Sequence, residues 1–232
     1  MNAVPSAART PRRLTWSAAR AALAALTTAT LLVGCSTAEP ARKTNINHDR
    51  TVRILVSANS PEQLILGQIY LQVLTEAGRE ADLVSESTPQ PLNRLAKVRA
   101  KEADLVIGCT GNFLDRLDPV RARGLSAEIA AGQFEDPADQ THREFVGALP
   151  GSMTTTDPSS AEGCAGDVQR RQVPDLPENI VPVFSRDLFD REETAALAAV
   201  TRVLTTEEIA TLLEKLEEES SVSTVVAEWL GY

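Results

Sequence analysis

Two short stretches of the chain place polar side chains where an apolar, strand-like run gives way to a helix. Ser57 and Asn59 follow the first such run, and Thr110 and Asn112 follow the second. The N–H groups at the start of a helix are free to bind a polar or anionic group. We therefore predict that these four side chains contact a small ligand.

The helix that follows Asn59 carries strong start and stop signals. Ser60 stands at the N-cap, Pro61 at the first helical position and Gln63 at the third, which is the pattern of a capping box. Capping is the favoured interpretation of Ser60 and Gln63, and ligand contact is the alternative kept for Gln63. Gly78 is predicted to end the helix in the left-handed conformation.

Sequence patterns of common enzyme classes are absent. The chain contains no Gly-x-Ser-x-Gly, His-Glu-x-x-His, Gly-x-Gly-x-x-Gly or P-loop motif. Its two histidines, His48 and His142, lie far apart, and neither has the spacing to a cysteine that a zinc site needs. We predict a protein that is not an enzyme and that uses no cofactor or metal.

Residues 1–34 have the pattern of a secretory signal peptide. Four arginines precede an apolar run at residues 21–33, which is shorter than the roughly 20 residues that span a bilayer as a helix. The run ends in LVGC, which resembles the lipobox of bacterial lipoproteins, where the Cys is lipidated and the preceding residues are removed. We predict an extracytoplasmic lipoprotein held on the cell membrane by acyl chains, such as palmitate, on Cys35.

Residues 35–50 are polar and lack periodicity, so we predict a tether between the lipid and the folded part. About 180 residues follow, enough for one domain or two small lobes. Removal of the signal peptide with its four arginines changes the formal net charge from −9 to −13. Because nucleic-acid backbones demand basic surfaces, we predict no nucleic-acid partner.

The two cysteines that remain beside the lipidated one are Cys109 and Cys164. Outside the cytoplasm such a pair usually closes into a disulfide, and this is the favoured interpretation. Two separate buried thiols are the alternative.

Residues 51–108 alternate strand-like and helical segments. Strands are predicted at 52–56, 81–84 and 104–108, with a helix between each pair. Such β-α-β units place parallel strands in one sheet and bring ligands to the carboxyl ends of those strands. The sequence therefore predicts an α/β fold.

The rest of the chain has a different composition. Between residues 109 and 179 we predict a short helix within 118–133, a strand at 143–149 and loops rich in Pro, Gly, Ser and Asp. Order resumes with a strand at 179–185, in which Pro182 favours an edge strand or a bend. Three helices follow, and Trp229 is predicted to dock the last of them on the core.

Three segments together resemble the substrate-binding proteins of glycine betaine/choline-type, or quaternary amine, ABC transporters. They are ILVSANSPEQLILGQIYLQVLTEAG, KEADLVIGCTGNFL, and the segment from NIVPVFSRDLF to VVAEWL. They occur in the family's order and cover about half of the mature chain. The resemblance implies a type II periplasmic-binding-protein fold, in which two α/β lobes close on a ligand.

Mapped onto this chain, the resemblance implies that residues 51–108 and 180–232 form lobe one. Residues 109–179 would then form a reduced, loop-rich second lobe. The family holds quaternary ammonium groups against aromatic rings, which attract a cation. Phe113 is therefore added to the candidate ligand residues, although Cys109 stands where the family's turn has a tyrosine.

Two functions follow from this resemblance. The first is a lipid-anchored binding protein that delivers a small solute, such as glycine betaine, choline or another quaternary amine, to an ABC permease. The second is a degenerate relative that binds no solute and serves as a cell-surface or partner-binding lipoprotein. A cleft closed by residues 57–63, 110–113 and 145–155 would favour the first. A second lobe too small to cover lobe one, with its polar loop held only by the Cys109–Cys164 disulfide, would favour the second.

Overall fold

The computed structural model describes residues 49–86, 94–164 and 174–231. The signal peptide at 1–34, the lipidation site Cys35 and all but the end of the tether at 35–50 lie outside the described residues. The elements in chain order are β1 (Val52–Ser57), α1 (Pro61–Glu76), β2 (Ala81–Glu86), α2 (Arg94–Arg99), β3 (Leu105–Cys109), α3 (Thr110–Leu117), α4 (Pro119–Ala130), α5 (Pro137–Ala148), β4 (Met153–Thr155), β5 (Ile180–Ser185), α6 (Arg191–Val203), α7 (Thr206–Glu219) and α8 (Val222–Leu230).

The strands form one sheet in the order β2-β1-β3-β5-β4. β1 pairs in parallel with β2 and β3, as predicted, while β5 runs antiparallel to both β3 and β4. We call the end of the sheet where β1, β2 and β3 finish its carboxyl end, and the opposite end its amino end. Because β5 is antiparallel, Ile180 lies opposite Cys109 at the carboxyl end.

Side chains that alternate along the strands supply two hydrophobic cores, one on each face of the sheet. Ile54 and Ile107 point to the face covered by α1, α6, α7 and α8. Leu55 and Val106 point to the face covered by α2, α3, α4 and α5. Burial on both faces explains why the central strands are continuous apolar runs. The helices of residues 109–179 therefore pack on the same sheet as residues 51–108.

Local signals place α1 as the sequence predicts. The Ser60 hydroxyl accepts a hydrogen bond from the Gln63 N–H at 3.3 Å, and Pro61 begins the helix. After the helix ends, Gly78 has φ of 77°, a left-handed value that glycine adopts without strain. Thr205 caps α7 through the Glu208 N–H, and Trp229 packs against the first core.

The strand predicted at 143–149 is wrong, because these residues lie in or next to α5. Asp136 caps this helix through the Asp139 N–H, and Pro137 is its first residue. Thr141 and Phe145, one helical turn apart, are its buried residues, so the helical period outweighs the short apolar run. The predicted helix within 118–133 is confirmed as α4, and the surrounding loops also hold the short strand β4.

Pro182 does not lie on an edge strand, because β5 has β3 on one side and β4 on the other. The pairing with β4 ends at Val183, however, which is the residue that follows the proline. The missing N–H therefore falls just beyond the end of that ladder. Among the described helices, none is both long and apolar enough to cross a bilayer.

At the amino end of the sheet, Asp104 joins the start of β3 to Arg50 and Arg53 at the start of β1. Its carboxylate, 1% exposed, accepts hydrogen bonds from the Arg53 side chain and backbone at 3.0 Å and lies 2.7 Å from Arg50. Burial alone would raise the pKa of Asp104, but the hydrogen bonds from the two arginines outweigh burial and lower that pKa below its ordinary value of 3.8. The charged carboxylate is thus part of the fold.

The lowered pKa of Asp104 predicts a loss of stability in acid. A group with a lowered folded-state pKa stabilises the protein above its unfolded-state pKa of about 4, and this contribution disappears as the pH falls through the folded-state pKa. Asp104→Asn is expected to lower the free energy of unfolding by about 1–3 kcal/mol at pH 7 and progressively less below about pH 4. Urea unfolding across this range measures the difference, with Glu217→Gln at an exposed position of α7 as a control. An Asp104→Asn difference that does not change with pH would contradict the assignment.

Candidate functional site

The carboxyl end of the sheet brings together part of the predicted ligand set. Thr110 and Phe113 are buried at the start of α3, and Asn112 lies beside them, half-buried. Gln63 is 1% exposed near the start of α1. Asn112 and Phe113 line one small cavity, which Ser57 and Asn59 do not line. Ser57 ends β1, and Asn59 is exposed in the turn that follows.

The N–H groups at the start of α3 are bound by the protein's own chain. The Thr110 and Gly111 N–H groups donate to the carbonyls of Asn179 and Pro177, and the Thr110 hydroxyl also donates to Pro177. The Asn112 N–H donates to a Glu178 carboxylate oxygen at 2.9 Å. The segment 177–179 therefore occupies the position in which a ligand would use these groups.

Gly111 makes this close approach possible. A Cβ at that position would lie 2.8 Å from the Leu176 Cβ and 2.9 Å from the Pro177 carbonyl oxygen. These distances are too short for any other residue without a shift of the backbone. The glycine of the Thr-Gly turn thus serves contact with the chain segment at 176–178.

The capping box predicted at α1 forms only in part. Ser60 caps the helix, but the Gln63 side chain does not reach back to it. Instead, the Gln63 Oε1 accepts a hydrogen bond of 2.7 Å from Arg94 Nη1. The physical reason is that burying a guanidinium costs free energy unless acceptors bind it. This cost is larger than that of leaving the start of the helix without a second capping side chain.

Arg94 is a buried cation that the sequence interpretation missed. It is 3% exposed, and its Nη1 donates to the Ile107 carbonyl of β3 at 3.2 Å as well as to Gln63. Its Nε lies 3.7 Å from a Glu86 carboxylate oxygen, and Lys97 contacts the other oxygen at 2.8 Å. Arg94 thereby joins β2, β3 and α1. In the sequence, its spacing of four residues from the buried Val98 is the signal that it shares the buried face.

A cavity of about 20 Å³ lies beside the disulfide, next to Arg94, Asn112 and Arg116. This volume holds about one water molecule or one small ion. The polar side chains of its lining are donors, and Asn112 Nδ2 is buried with no hydrogen-bond partner among the described residues. The cavity is suited to one anionic or acceptor atom and is too small for a whole quaternary amine.

The aromatic rings near the site are packed against each other. Phe113 and Phe145 stack with centroids 5.6 Å apart, and both are buried. The Phe113 ring also covers Gly108, where any Cβ would overlap it. A cation contact needs a free ring face, and the contact that the resemblance implies for Phe113 stays a prediction.

The predicted disulfide is confirmed. Cys109, at the end of β3, is bonded to Cys164, and both are buried. The Cys164 N–H donates to a Glu62 carboxylate oxygen at 3.1 Å, which ties the same loop to the start of α1. Glu162 also pairs with Asn179 as an isolated bridge. The disulfide thus holds the loop at residues 161–164, and pairing with this loop holds segment 177–179, the covering segment, at the carboxyl end.

A wide, open depression of about 500 Å³ lies on the outer side of this covering segment. Its acidic residues are Glu162, Asp175 and Glu178, and its apolar ones are Ile129, Leu176 and Pro177. A wide, open depression is better suited to contact with the surface of another protein than to enclosing a small molecule. Among the described residues, no group of three or more His, Cys, Asp or Glu side chains is arranged to hold a metal.

Comparisons with known proteins place the fold. No protein-family model and no curated protein matches the chain. Apo YehZ from Escherichia coli is similar in structure, with a TM-score of 0.56 and 12% sequence identity, over 78% of this chain and 97% of that one. Lactococcal OpuAC, in its closed-liganded conformation with glycine betaine, aligns over 78% of this chain and 95% of its own, with a TM-score of 0.41 and 8% identity.

The likeness to YehZ shows a shared fold and confirms the α/β, periplasmic-binding-protein-like fold class. The structure adds that the described residues between 109 and 179 include the helices α3, α4 and α5 and the strand β4. The division into a lobe one at 51–108 and 180–232 and a reduced lobe two at 109–179 stays a prediction.

Proposed function

We propose that the protein is an extracytoplasmic lipoprotein that uses a binding-protein-like fold to dock a partner rather than to enclose a solute. The observation that carries this proposal is the occupation of the α3 N–H groups by residues 177–179. A ligand at the carboxyl end would have to displace a segment that pairs with the disulfide-bonded loop at residues 161–164. This is the arrangement expected of the partner-binding lipoprotein.

The compartment is supported by two features of different kinds. The Cys109–Cys164 disulfide is typical of an oxidising environment outside the cytoplasm. The signal peptide and the lipid on Cys35 remain sequence predictions, and they would place the domain on the outer side of the cell membrane. The acid-lined depression beside the covering segment is the surface proposed for the partner.

Solute binding for an ABC permease is the second candidate, and one observation favours it. The cavity beside Arg94, Asn112 and Arg116 presents donors, so it suits the carboxylate of a betaine or another small acid. In this case the rest of the solute would lie outside the cavity, and segment 177–179 would have to move. The identity of any such solute as a quaternary amine belongs to this candidate alone.

A thermal-shift panel separates the two candidates. For the chain from residue 36 onward, we expect no change in melting temperature with glycine betaine, choline, carnitine, amino acids or sugars. A bound solute at 100 times its dissociation constant would add about 2.7 kcal/mol of stability, which is readily measured. A shift that disappears in Asn112→Ala but persists in the exposed-turn variant Asn59→Ala would establish the second candidate.

Docking of a partner is tested by crosslinking in intact cells. A photo-crosslinking residue in place of the exposed Asp175 samples the depression, and one in place of the exposed Glu217 samples the far end of α7. We expect one discrete crosslinked species from Asp175 and none from Glu217. Equal crosslinking from both positions, or from neither, would contradict the proposed surface.

A further inference from the structure

A basic cleft lies at the amino end of the sheet, opposite the candidate site. Its volume is about 420 Å³, and it lies between the start of β1, the end of α2 and the loops next to β4 and β5. The cations of its lining are Arg50, Arg99, Lys101 and Arg186. The lining also includes the polar residues Ser152 and Ser185.

The charge of this cleft contrasts with the rest of the chain. Arg53 adjoins it, because its guanidinium donates to the Lys101 carbonyl. The buried Asp104 is already shared by Arg50 and Arg53. Asp187 is the acid among the lining residues, so four lining cations face one lining carboxylate, in a chain whose predicted mature charge is −13.

The cleft is also where the tether enters the domain. Arg50 belongs to its lining, and β1 begins two residues later. Arg50 is fifteen positions after Cys35 in the sequence. The tether predicted from the sequence, at that length, would have an end-to-end distance of about 20 Å. A lipid on Cys35 would thus hold this end of the sheet within a few Debye lengths, each about 8–10 Å, of the bilayer.

We propose that this cleft binds the phosphate of anionic phospholipid headgroups in the membrane to which the chain is anchored. The proposal rests on the lipid anchor of the proposed function. Arg99 and Lys101 are exposed and supply the free positive charge, while Arg186 spans the floor by donating to the carbonyls of Gly151 and Met153. Contact through the amino end turns the carboxyl end, with its acidic depression, away from the membrane and toward a partner.

Vesicle sedimentation tests the proposal with the unlipidated chain from residue 36 to residue 232, so that an acyl chain does not dominate binding. We expect binding to phosphatidylcholine vesicles that contain about one third phosphatidylglycerol, and none to pure phosphatidylcholine. Each cation near an anionic surface contributes about 1 kcal/mol, so Arg99→Glu/Lys101→Glu should weaken binding about tenfold or more. Melting temperature confirms that the variant folds.

The matched control is Arg123→Glu/Arg202→Glu, which makes the same change in net charge at exposed positions away from the cleft. It should change binding less than about twofold. Equal losses in both variants, or no binding to anionic vesicles, would overturn the proposal. Stabilisation by soluble glycerol phosphate without vesicle binding would overturn it as well, in favour of a free phosphate ester. Lipidation is read separately from the mass of the Cys35 peptide, so the anchor and the cleft fail independently.

Discussion

Reduction of the Cys109–Cys164 disulfide is expected to lower the free energy of unfolding by about 4 kcal/mol. The bond closes a loop with a sequence separation of 55 residues, and such a crosslink restricts the unfolded chain. Both half-cystines are buried, and the bond joins the end of β3 to the loop at residues 161–164, which pairs with residues 178–180. For a domain of this size, a change of about 4 kcal/mol is a large share of the 5–15 kcal/mol that native proteins usually have.

Urea unfolding with and without dithiothreitol measures this change. The control is Cys109→Ala/Cys164→Ala, which should be about as stable as the reduced protein and should not respond to the reductant. A loss below about 1 kcal/mol on reduction would mean that the covering segment is held by its hydrogen bonds alone. Hydrogen exchange adds a local readout, because the Thr110 and Asn112 amides should lose protection when segment 177–179 is released.

The β1-α1-β2 unit is predictable because its signals are local. The apolar run of β1, the Ser60 cap with Pro61 and the left-handed Gly78 each act within a few residues of their own position. The same local signal, an acidic N-cap before a proline, marks α5 at Asp136 and Pro137. The strand prediction at 143–149 gave weight to a short apolar run with an aromatic residue and missed this helix start.

The chemistry of the candidate site is less predictable because its partners are distant in sequence. The Asn112 N–H and its acceptor Glu178 are separated by 66 positions, and Arg94 and Gln63 by 31. No local pattern tells whether the N–H groups of a helix start meet a ligand or a returning loop. The sheet topology predicts that the start of α3 lies at the carboxyl end of the sheet. Whether a ligand or the protein's own chain binds its N–H groups depends on these long-range contacts.

The burial of Arg94 is another feature of the site that the local sequence does not predict. In the sequence it lies in a helix with Lys97, Arg99 and Lys101 nearby, a composition typical of a solvated face. The fold instead buries it where Gln63, the Ile107 carbonyl and Glu86 converge. A buried guanidinium is tolerated only where hydrogen-bond acceptors surround it. The fold around Arg94, and not its neighbours in the sequence, therefore decides whether it is buried.

Arg94→Ala is therefore expected to lower the free energy of unfolding by about 3 kcal/mol or more. The truncation leaves the Gln63 Oε1 and the Ile107 carbonyl without their donor and opens space between α1 and β3. Lys97→Ala is the matched control, since Lys97 is on the same helix and contacts the same Glu86 carboxylate but is 32% exposed. Its loss should cost less than about 1 kcal/mol, as for other exposed ion pairs.

Arg94→Met separates the charge from the volume of the side chain. Methionine fills much of the space without a charge, so a variant close to wild type in stability would mean that Arg94 acts mainly by packing. If Arg94 is needed as a donor, Arg94→Met should be destabilised nearly as much as Arg94→Ala, and Gln63→Leu should relieve part of the loss in a double-variant cycle. Equal effects of Arg94→Ala and Lys97→Ala in urea unfolding would contradict the buried role. A guanidinium that proves essential for stability would be a structural part of the carboxyl end, and its charge would then be committed to the protein's own acceptors rather than to a solute.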